Sequence, residues 1–317
     1  PGVDGGKGNP PNPDGYQTHY LWEEVLQADS LLDILNRYVH VEETEETEID
    51  AKGNERTRTS KHIIFPRYHQ LDVVRKITGD VRRNGPGHSY LVQHSAGSGK
   101  SNSIAWSAYQ LSTMFDAQDQ PLFDSVVIVT DRTVLDRQLQ ETISGLDHVK
   151  GQITVIDDKC TSQDLKDALN SGAGLIVSTL QKYSVIYEEV ESKGKKFCVI
   201  VDEAHSSQTG SHAIHLKQAL ADPTEALKEF ADYEEQWEGE NEEVRDGMLR
   251  EMAAHGHHEN ITFLAFTATP KNQTLELFGE EMPNGSFRPY HVYSMKQAIQ
   301  EGFILDPLAN YVTYNEA

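Results

Sequence analysis

A glycine-rich stretch that follows a short apolar segment constrains this chain more than any other feature. Residues 90–101 read Tyr-Leu-Val-Gln-His-Ser-Ala-Gly-Ser-Gly-Lys-Ser, which predicts a buried strand, a tight turn and the start of a helix. The glycines let the backbone turn and point its N–H groups at phosphate oxygens. The lysine can reach the β- and γ-phosphates, and the serine after it offers a hydroxyl to Mg²⁺. The stretch predicts a phosphate-binding loop whose binding residues are Ala96, Gly97, Ser98, Gly99, Lys100 and Ser101.

One position departs from the full Walker pattern. That pattern has a glycine five residues before Gly99, where this chain has His94. A plainer interpretation of such a variant is a glycine- and serine-rich turn that only caps a helix. The rest of the chain has to distinguish the two interpretations.

Composition narrows the choice of function. A chain of 317 residues has room for one large or two medium domains, and it has no apolar run of the ~18 residues that span a membrane. Its net charge of −22 argues against nucleic-acid binding through bulk positive potential, although a local groove could still be basic. The acidity is concentrated at 42–50 and 222–259, which predicts solvated surface or insertions. The two cysteines, Cys160 and Cys198, are too few for a disulfide scaffold and indicate a reducing cytoplasm.

The amino-terminal part is predicted to be less regular. Residues 1–16 indicate a linker, and the absence of an initiator methionine and of an apolar signal region suggests a piece of a longer protein. The apolar spacing of Leu21–Val39 predicts two short helices with a break near Asp29–Ser30. The acidic run and Lys52–Asn54 are predicted to be a loop. A nuclease metal site at Asp50–Lys52 is disfavoured because no strand pattern surrounds these residues.

Strand and helix patterns alternate in the remainder of the chain. Apolar runs rich in β-branched residues predict strands at 90–94, 125–130, 153–156, 174–179, 197–201 and 262–266. Helices are predicted at 71–77, 101–114, 134–143 and 164–169. This alternation predicts an α/β fold with a mostly parallel sheet and helices on both faces. Ligands of such sheets bind beyond the carboxyl ends of the strands, where most polar motifs of this chain fall.

A second motif follows the predicted strand at 197–201. Asp202 can hold Mg²⁺ opposite Ser101, and Glu203 can orient and deprotonate the water that attacks the γ-phosphate. The alternative is a pair of carboxylates exposed to solvent at a strand end. Upstream, the amide of Gln70 can make two hydrogen bonds to adenine, which would favour ATP over GTP.

The motifs occur in the order found in superfamily 2 helicases and translocases, which the chain resembles. They are Gln70, Gly97–Ser101, Asp202–His205 and Thr267–Pro270. A closer resemblance is to the R (restriction and motor) subunit of type I restriction–modification enzymes, where a histidine is expected at position 94. That resemblance rests on Tyr20–Leu26, Phe65–Gln70, Gln93–Trp106, Val129–Arg132, Thr269–Lys271 and Ile299–Asp306. It covers nearly the whole chain except residues 222–260.

The resemblance implies a RecA-like P-loop NTPase domain that uses ATP and Mg²⁺. Lys100, Asp202 and Glu203 would be catalytic, with Ser101 and Asp202 holding the metal ion. Domain motion would be coupled to hydrolysis by His205, Thr267 and Thr269. The DNA backbone would be contacted by Thr130, Arg132, Ser178, Thr179 and Lys182, of which Arg132 and Lys182 could also be ordinary surface cations.

The resemblance also implies a partial protein. Residues 1–60 would be a linker with short helices, and residues 61–310 a first motor domain with an acidic insertion at 222–260. The nuclease domain and the second motor lobe of the family are missing from this chain, so we expect weak ATP binding and poor hydrolysis. In the intact protein, the implied partners are double-stranded DNA and the methyltransferase (M) and specificity (S) subunits, in the cytoplasm of a bacterium or archaeon and with no membrane.

Two other functions remain open from the sequence. One is a superfamily 2 helicase of another kind that acts on DNA or RNA, and the other is a nucleotide-binding switch that moves no DNA. The Thr267–Thr269 motif argues against the switch, which would not need it. His255–His258 could bind a metal, but it lies in the acidic insertion without a fixed second shell.

Overall fold

A computed structural model of the chain describes residues 12, 14–16, 18–49, 55–130, 142–143, 153–156, 160–179, 194–202 and 260–306. Its centre is a seven-stranded sheet in which every pair of neighbouring strands is parallel. The strands are β3 (Ser89–His94), β4 (Ser125–Thr130), β5 (Ile153–Ile156), β6 (Leu175–Thr179), β7 (Phe197–Asp202), β8 (Ile261–Thr267) and β11 (His291–Tyr293). Their order across the sheet is β11-β3-β8-β7-β4-β6-β5. The predicted α/β fold is confirmed.

The strands form because their sequences are apolar on both faces. All residues of β4 and β8 are buried, as expected for strands covered by helices on each side. The buried side chains divide into two clusters, and alternate residues of β4 enter opposite clusters. Val126 and Ile128 belong to the first, whereas Val127 and Val129 belong to the second.

Helices cover both faces of the sheet. The helices are α1 (Ala28–Arg37), α2 (Tyr68–Asn84), α3 (Lys100–Ser112), α4 (Ser162–Ser171), α5 (Asn272–Phe278) and α6 (Met295–Gln300). The first cluster includes Ile34 of α1, Val74 of α2 and Trp106 of α3, whereas the second includes Leu165 of α4 and Phe278 of α5. No helix within the described ranges is both long and apolar enough to cross a membrane.

The amino-terminal helices are anchored on the core by α3. The indole Nε1 of Trp106 donates a hydrogen bond to the carbonyl of Tyr38 over 2.9 Å, and both side chains are fully buried. A short helix with π-type hydrogen bonds, Leu21–Val25, precedes α1. Two helices were predicted here, and the break between them lies at Leu26–Gln27, earlier than predicted.

The acidic run predicted to be a loop forms a strand instead. The ribbon pairs β1 (His40–Ile49) with β2 (Glu55–Ile64), antiparallel, with His40 opposite Ile64 and Ile49 opposite Glu55. The prediction was wrong because glutamate disfavours strands intrinsically, whereas pairing with a second strand supplies the backbone hydrogen bonds. Strands therefore flank Asp50–Lys52, contrary to the reason given against a nuclease site there, although residues 50–54 lie outside the described ranges.

The structure adds elements that the sequence patterns did not indicate. Strand β11 extends the sheet beyond β3, and a small hairpin, β9 (Glu280–Glu281) and β10 (Phe287–Arg288), precedes it. The predicted helix at 134–143 is described only at its last two residues, and the insertion at 222–260 only at Asn260. The proposed domain boundary at residue 60 stays a prediction.

Candidate functional site: a phosphate-binding loop at the carboxyl edge of the sheet

The glycine-rich loop connects β3 to α3 and has the backbone geometry predicted for it. Gly97 and Gly99 have φ values of +73° and +79°, a region that residues with a Cβ rarely adopt. Both glycines are also closely approached. A Cβ on Gly99 would lie 2.5 Å from Nε2 of Gln70, and a Cβ on Gly97 would lie 3.1 Å from Cγ2 of Ile304. Helix α3 begins at Lys100, so its first N–H groups face the loop.

Gln70 of α2 is hydrogen-bonded to the loop. The backbone N–H of Arg67 donates to Oε1 of Gln70 over 2.8 Å, and Nε2 of Gln70 donates to the carbonyl of Gly99 over 2.9 Å. An amide oxygen accepts two hydrogen bonds and an amide nitrogen donates two. One acceptor position of Gln70 remains, and its second N–H has only a long contact, 3.4 Å, to the carbonyl of Ser98. The predicted contact with adenine is thus compatible with this arrangement and stays a prediction.

A neighbouring histidine holds the same loop. Nε2 of His69 donates to the carbonyl of Ser98 over 3.0 Å, and the ring stacks on Tyr293 of β11 with centroids 3.7 Å apart. Burial lowers the pKa of His69 to about 4, although the hydrogen bond to Ser98 opposes this shift. His69 is therefore neutral at pH 7, and its contact with the loop is a neutral hydrogen bond.

His94, the departure from the Walker pattern, lies beneath the loop. It is fully buried at the end of β3, and the only described non-glycine residue with positive φ is Asp119. Position 94 therefore does not need a glycine. Nε2 of His94 lies 2.9 Å from Nδ1 of His291, whose Nε2 lies 3.0 Å from Oδ2 of Asp72.

The hydroxyl groups around the loop also suit a polar ligand. Those of Ser95, Ser98 and Ser103 are buried and have no hydrogen-bond partner within the part of the chain that the structure describes. Buried polar groups in proteins are generally satisfied. The positive-φ glycines, the helix start and these hydroxyls together fit the phosphates of a nucleotide.

The predicted metal ligands lie at the same edge of the sheet. Asp202 ends β7, Ser101 lies in the first turn of α3, and only β8 separates β7 from β3. Glu203 and His205 lie outside the described residues.

The predicted coupling motif lies at the end of β8, the strand between β3 and β7. Thr267 is buried at the end of β8, opposite Gln93 of β3, and its Oγ1 accepts a hydrogen bond from the backbone N–H of Thr269 over 3.2 Å. Its place next to the phosphate-binding loop is consistent with coupling, which stays a prediction.

Three of the five predicted DNA-contacting residues lie at the ends of neighbouring strands. Thr130 of β4 lies opposite Thr179 of β6, and Ser178 precedes Thr179. The side chains of Thr130 and Ser178 are buried, so they do not form an open surface. Arg132 and Lys182 lie outside the described residues, and DNA contact stays a prediction.

The segment after β11, for which no role was predicted from the sequence, packs against the loop. Tyr293 donates to Glu301 Oε2 over 2.7 Å, and the Arg67 guanidinium lies 4.1 Å from the ring centroid of Phe303. Ile304 follows and approaches Gly97. The sequence pointed to this segment only through the resemblance of Ile299–Asp306 to the R-subunit family. That resemblance did not indicate what the segment contacts.

Comparisons with known proteins indicate the class to which the chain is similar. Residues 69–226 match the SWI2/SNF2 ATPase family. The endonuclease subunit of the type I restriction enzyme HindI from Haemophilus influenzae is 26% identical over 296 residues, which cover 89% of this chain. The chain spans 23% of the length of that relative.

Solved structures overlay only loosely. The Pyrococcus furiosus Hef helicase domain gives a TM-score of 0.42 at 13% identity, over 67% of this chain and 35% of the other. The Sulfolobus solfataricus SWI2/SNF2 ATPase core in complex with double-stranded DNA gives 0.35 at 14% identity, over 67% and 33%.

The parallel sheet, the phosphate-binding loop and the matched family define a RecA-like, superfamily 2 helicase-like ATPase motor region. Within that class, the chain is similar to the R subunits of type I restriction enzymes, as the sequence motifs indicated. The family match indicates an ATPase-type enzyme, which uses ATP.

Proposed function

We propose that this chain is the first motor lobe of a type I restriction R subunit, which binds and hydrolyses ATP to move double-stranded DNA. The observation that carries the proposal is the shared position of the phosphate-binding loop and Asp202 at one carboxyl edge of the sheet, with only β8 between their strands. A loop that merely capped a helix would not need an acidic strand end beside it.

ATP would be held mainly by the loop. The N–H groups at the start of α3 and the Lys100 ammonium bind the phosphates, and the amide of Gln70 binds adenine. Ser101 and Asp202 supply hard oxygen ligands, which suit Mg²⁺. The metal ion, when bound, neutralises charge that develops on the phosphates.

Hydrolysis would depend on positioning. Glu203 orients the attacking water and accepts its proton, and the loop fixes the phosphates in line with that water. Thr267, Thr269 and His205 relay the result to domain motion. The ends of β4 and β6 would carry backbone contacts to DNA, because sequence-independent tracking needs phosphate contacts and no base readout.

Translocation and cleavage would belong to the complete protein. The curated relative is a restriction endonuclease subunit of which this chain spans 23%. Recognition of a DNA site would come from the M and S subunits, and the present chain alone would turn over ATP slowly.

The test measures ATPase activity of the full-length parent protein with its partner subunits, on DNA with and without a recognition site. Lys100→Ala and Glu203→Gln should each abolish DNA-dependent hydrolysis, whereas Lys61→Ala, which removes an exposed lysine of β2, should not. ATP binding that survives in Glu203→Gln would separate binding from chemistry. Tight ATP binding without any DNA-dependent turnover in the wild type would contradict the motor and favour a nucleotide switch.

A further inference from the structure

Behind the phosphate-binding loop, the buried histidines His94 and His291 form a row of hydrogen bonds that ends at the carboxylate of Asp72. Asp72, on α2, accepts hydrogen bonds on Oδ2 from His291 Nε2 over 3.0 Å and from the Lys76 ammonium over 2.7 Å. Burial alone would raise the pKa of Asp72, but these partners outweigh it and hold the pKa at about 2. Asp72 is therefore an ionised carboxylate at pH 7, and a carboxylate can only accept.

This carboxylate sets the direction of every hydrogen bond in the chain of three side chains. Because Asp72 accepts, Nε2 of His291 carries its proton. Burial lowers the pKa of His291 despite the contact with Asp72, so the ring is neutral and its Nδ1 is an acceptor. Nε2 of His94 must then donate to Nδ1 of His291. One carboxylate on α2 thus fixes the tautomers of two buried rings.

The last ring is placed to act on the loop. His94 ends β3, and the next residue, Ser95, donates its backbone N–H to the carbonyl of Tyr293 over 2.9 Å, which fixes the first residue of the loop. The His94 ring lies 5.3 Å from that of His69, which holds the carbonyl of Ser98. His94 thus adjoins the start of the segment 95–98 through the backbone and its far end through the ring of His69.

We propose that Asp72 and His291 are positioning residues that fix the tautomer and orientation of His94 and thereby hold the loop in the geometry that binds the triphosphate of ATP. The proposal rests on the proposed function, since it concerns the same loop. Both residues act on the loop through His94. Their role is analogous to that of an outer hydrogen-bond partner that orients an inner ligand.

The first test reads the tautomers without nucleotide. Nitrogen-15 spectra of histidine-labelled protein should show His94 and His291 protonated on Nε2 and bare on Nδ1 at pH 7, with His94→Gln and His291→Gln used for assignment. Asp72→Leu should change the pattern of His291, and through it that of His94. Lys76→Met, which removes only the other partner of Asp72, should leave both rings unchanged. A wild-type His94 protonated on Nδ1 would overturn the proposal.

The second test measures ATP binding with a fluorescent ATP analogue. His291→Leu and Asp72→Leu should weaken binding by about tenfold, because a buried donor or acceptor is left without its partner. His291→Gln should restore most of the affinity, since a glutamine can accept from His94 and donate to Asp72 at once. Equal binding by wild type, His291→Leu and His291→Gln would overturn the positioning role, as would a folded His291→Gln that binds as weakly as His291→Leu.

Failure of the proposed function and failure of the positioning role give different results. If wild-type protein shows no ATP binding, or if Lys100→Ala binds as the wild type does, the proposed function fails and the positioning role fails with it. If Lys100→Ala abolishes binding and the Asp72 and His291 variants do not weaken it, only the positioning role fails. If His291→Leu does not fold, the histidine tautomers of the wild type and the ATP affinity of His291→Gln still test the positioning role.

Discussion

The side-chain nitrogen of Gln70 donates a hydrogen bond to the carbonyl oxygen of Gly99 over 2.9 Å. The residue predicted to read the base is thus attached to the loop predicted to bind the phosphates. Adenine recognition and loop geometry would consequently be linked through one amide.

Replacing Gln70 tests this link. We expect Gln70→Ala to weaken ATP binding by about tenfold, and to weaken binding of inorganic tripolyphosphate less, because only ATP loses the base contact as well as loop support. Preference for ATP over GTP should also fall. Competition against a fluorescent nucleotide measures all three affinities, and equal losses for ATP and tripolyphosphate would show that Gln70 supports the loop without reading the base.

Gly99→Ala should strain the loop. A left-handed backbone costs a residue with a Cβ roughly 1–2 kcal/mol, and the new methyl group would lie 2.5 Å from Nε2 of Gln70. Thermal unfolding should show the loss of stability, together with weaker ATP binding.

Gly79→Ala is the matched control for this substitution. Gly79 lies inside α2, and a methyl group added there would meet no atom within 4 Å outside its own helix backbone. Alanine there should stabilise the protein by roughly 0.5–1 kcal/mol. A Gly99→Ala variant as stable as Gly79→Ala would contradict the observed loop geometry.

His69 predicts a pH dependence of stability. Its pKa is about 4 in the folded chain and about 6.5 in an unfolded one, so the unfolded chain binds more protons between these values. The stability that His69 contributes is present above pH 6.5 and is lost as the pH falls towards 4. At pH 5 the loss should be about 2 kcal/mol relative to pH 7.

Urea unfolding at pH 7 and pH 5 checks this prediction. His69→Gln keeps an N–H donor for Ser98 but cannot be protonated, so the difference in unfolding free energy between the two pH values should shrink. Replacing the exposed His62 in the same way should not shrink it. An unchanged pH dependence in His69→Gln would contradict the buried, neutral state of this ring.

His94→Gly would restore the full Walker pattern, yet we expect it to be harmful. The ring is fully buried, and its loss leaves a cavity and an unpaired Nδ1 on His291. Such changes cost roughly 2–4 kcal/mol of unfolding free energy, measurable by chemical denaturation. A variant at least as stable as the wild type would mean that the loop takes either residue freely.

Much of the fold follows from the sequence because the strands are buried on both faces. Uninterrupted β-branched runs such as Ser125–Thr130 are typical of strands that helices cover on each side. Strand β11 was missed because three residues that begin with a histidine have no readable period. The ribbon at His40–Ile64 was missed because its stability comes from pairing between strands, which the composition of either strand does not indicate.

In the site, too, features set by neighbouring residues were predicted from the sequence, whereas contacts between distant residues were not. The glycines of the loop were predicted because their backbone geometry is a local requirement. The contact between His291 and Asp72 joins residues 219 positions apart, and the contact between His94 and His291 spans 197. No pattern within a short window connects such residues, so only the fold brings them together.

The two outermost strands of the sheet also affect how the protein behaves in solution. An open sheet edge exposes unpaired N–H and C=O groups that can recruit a strand from another molecule. Among the strands that the structure describes, one edge is β11, with three residues, and the other is β5, with four. Such short edges give an incoming strand few hydrogen bonds, so the sheet that presents the nucleotide loop resists edge-to-edge aggregation.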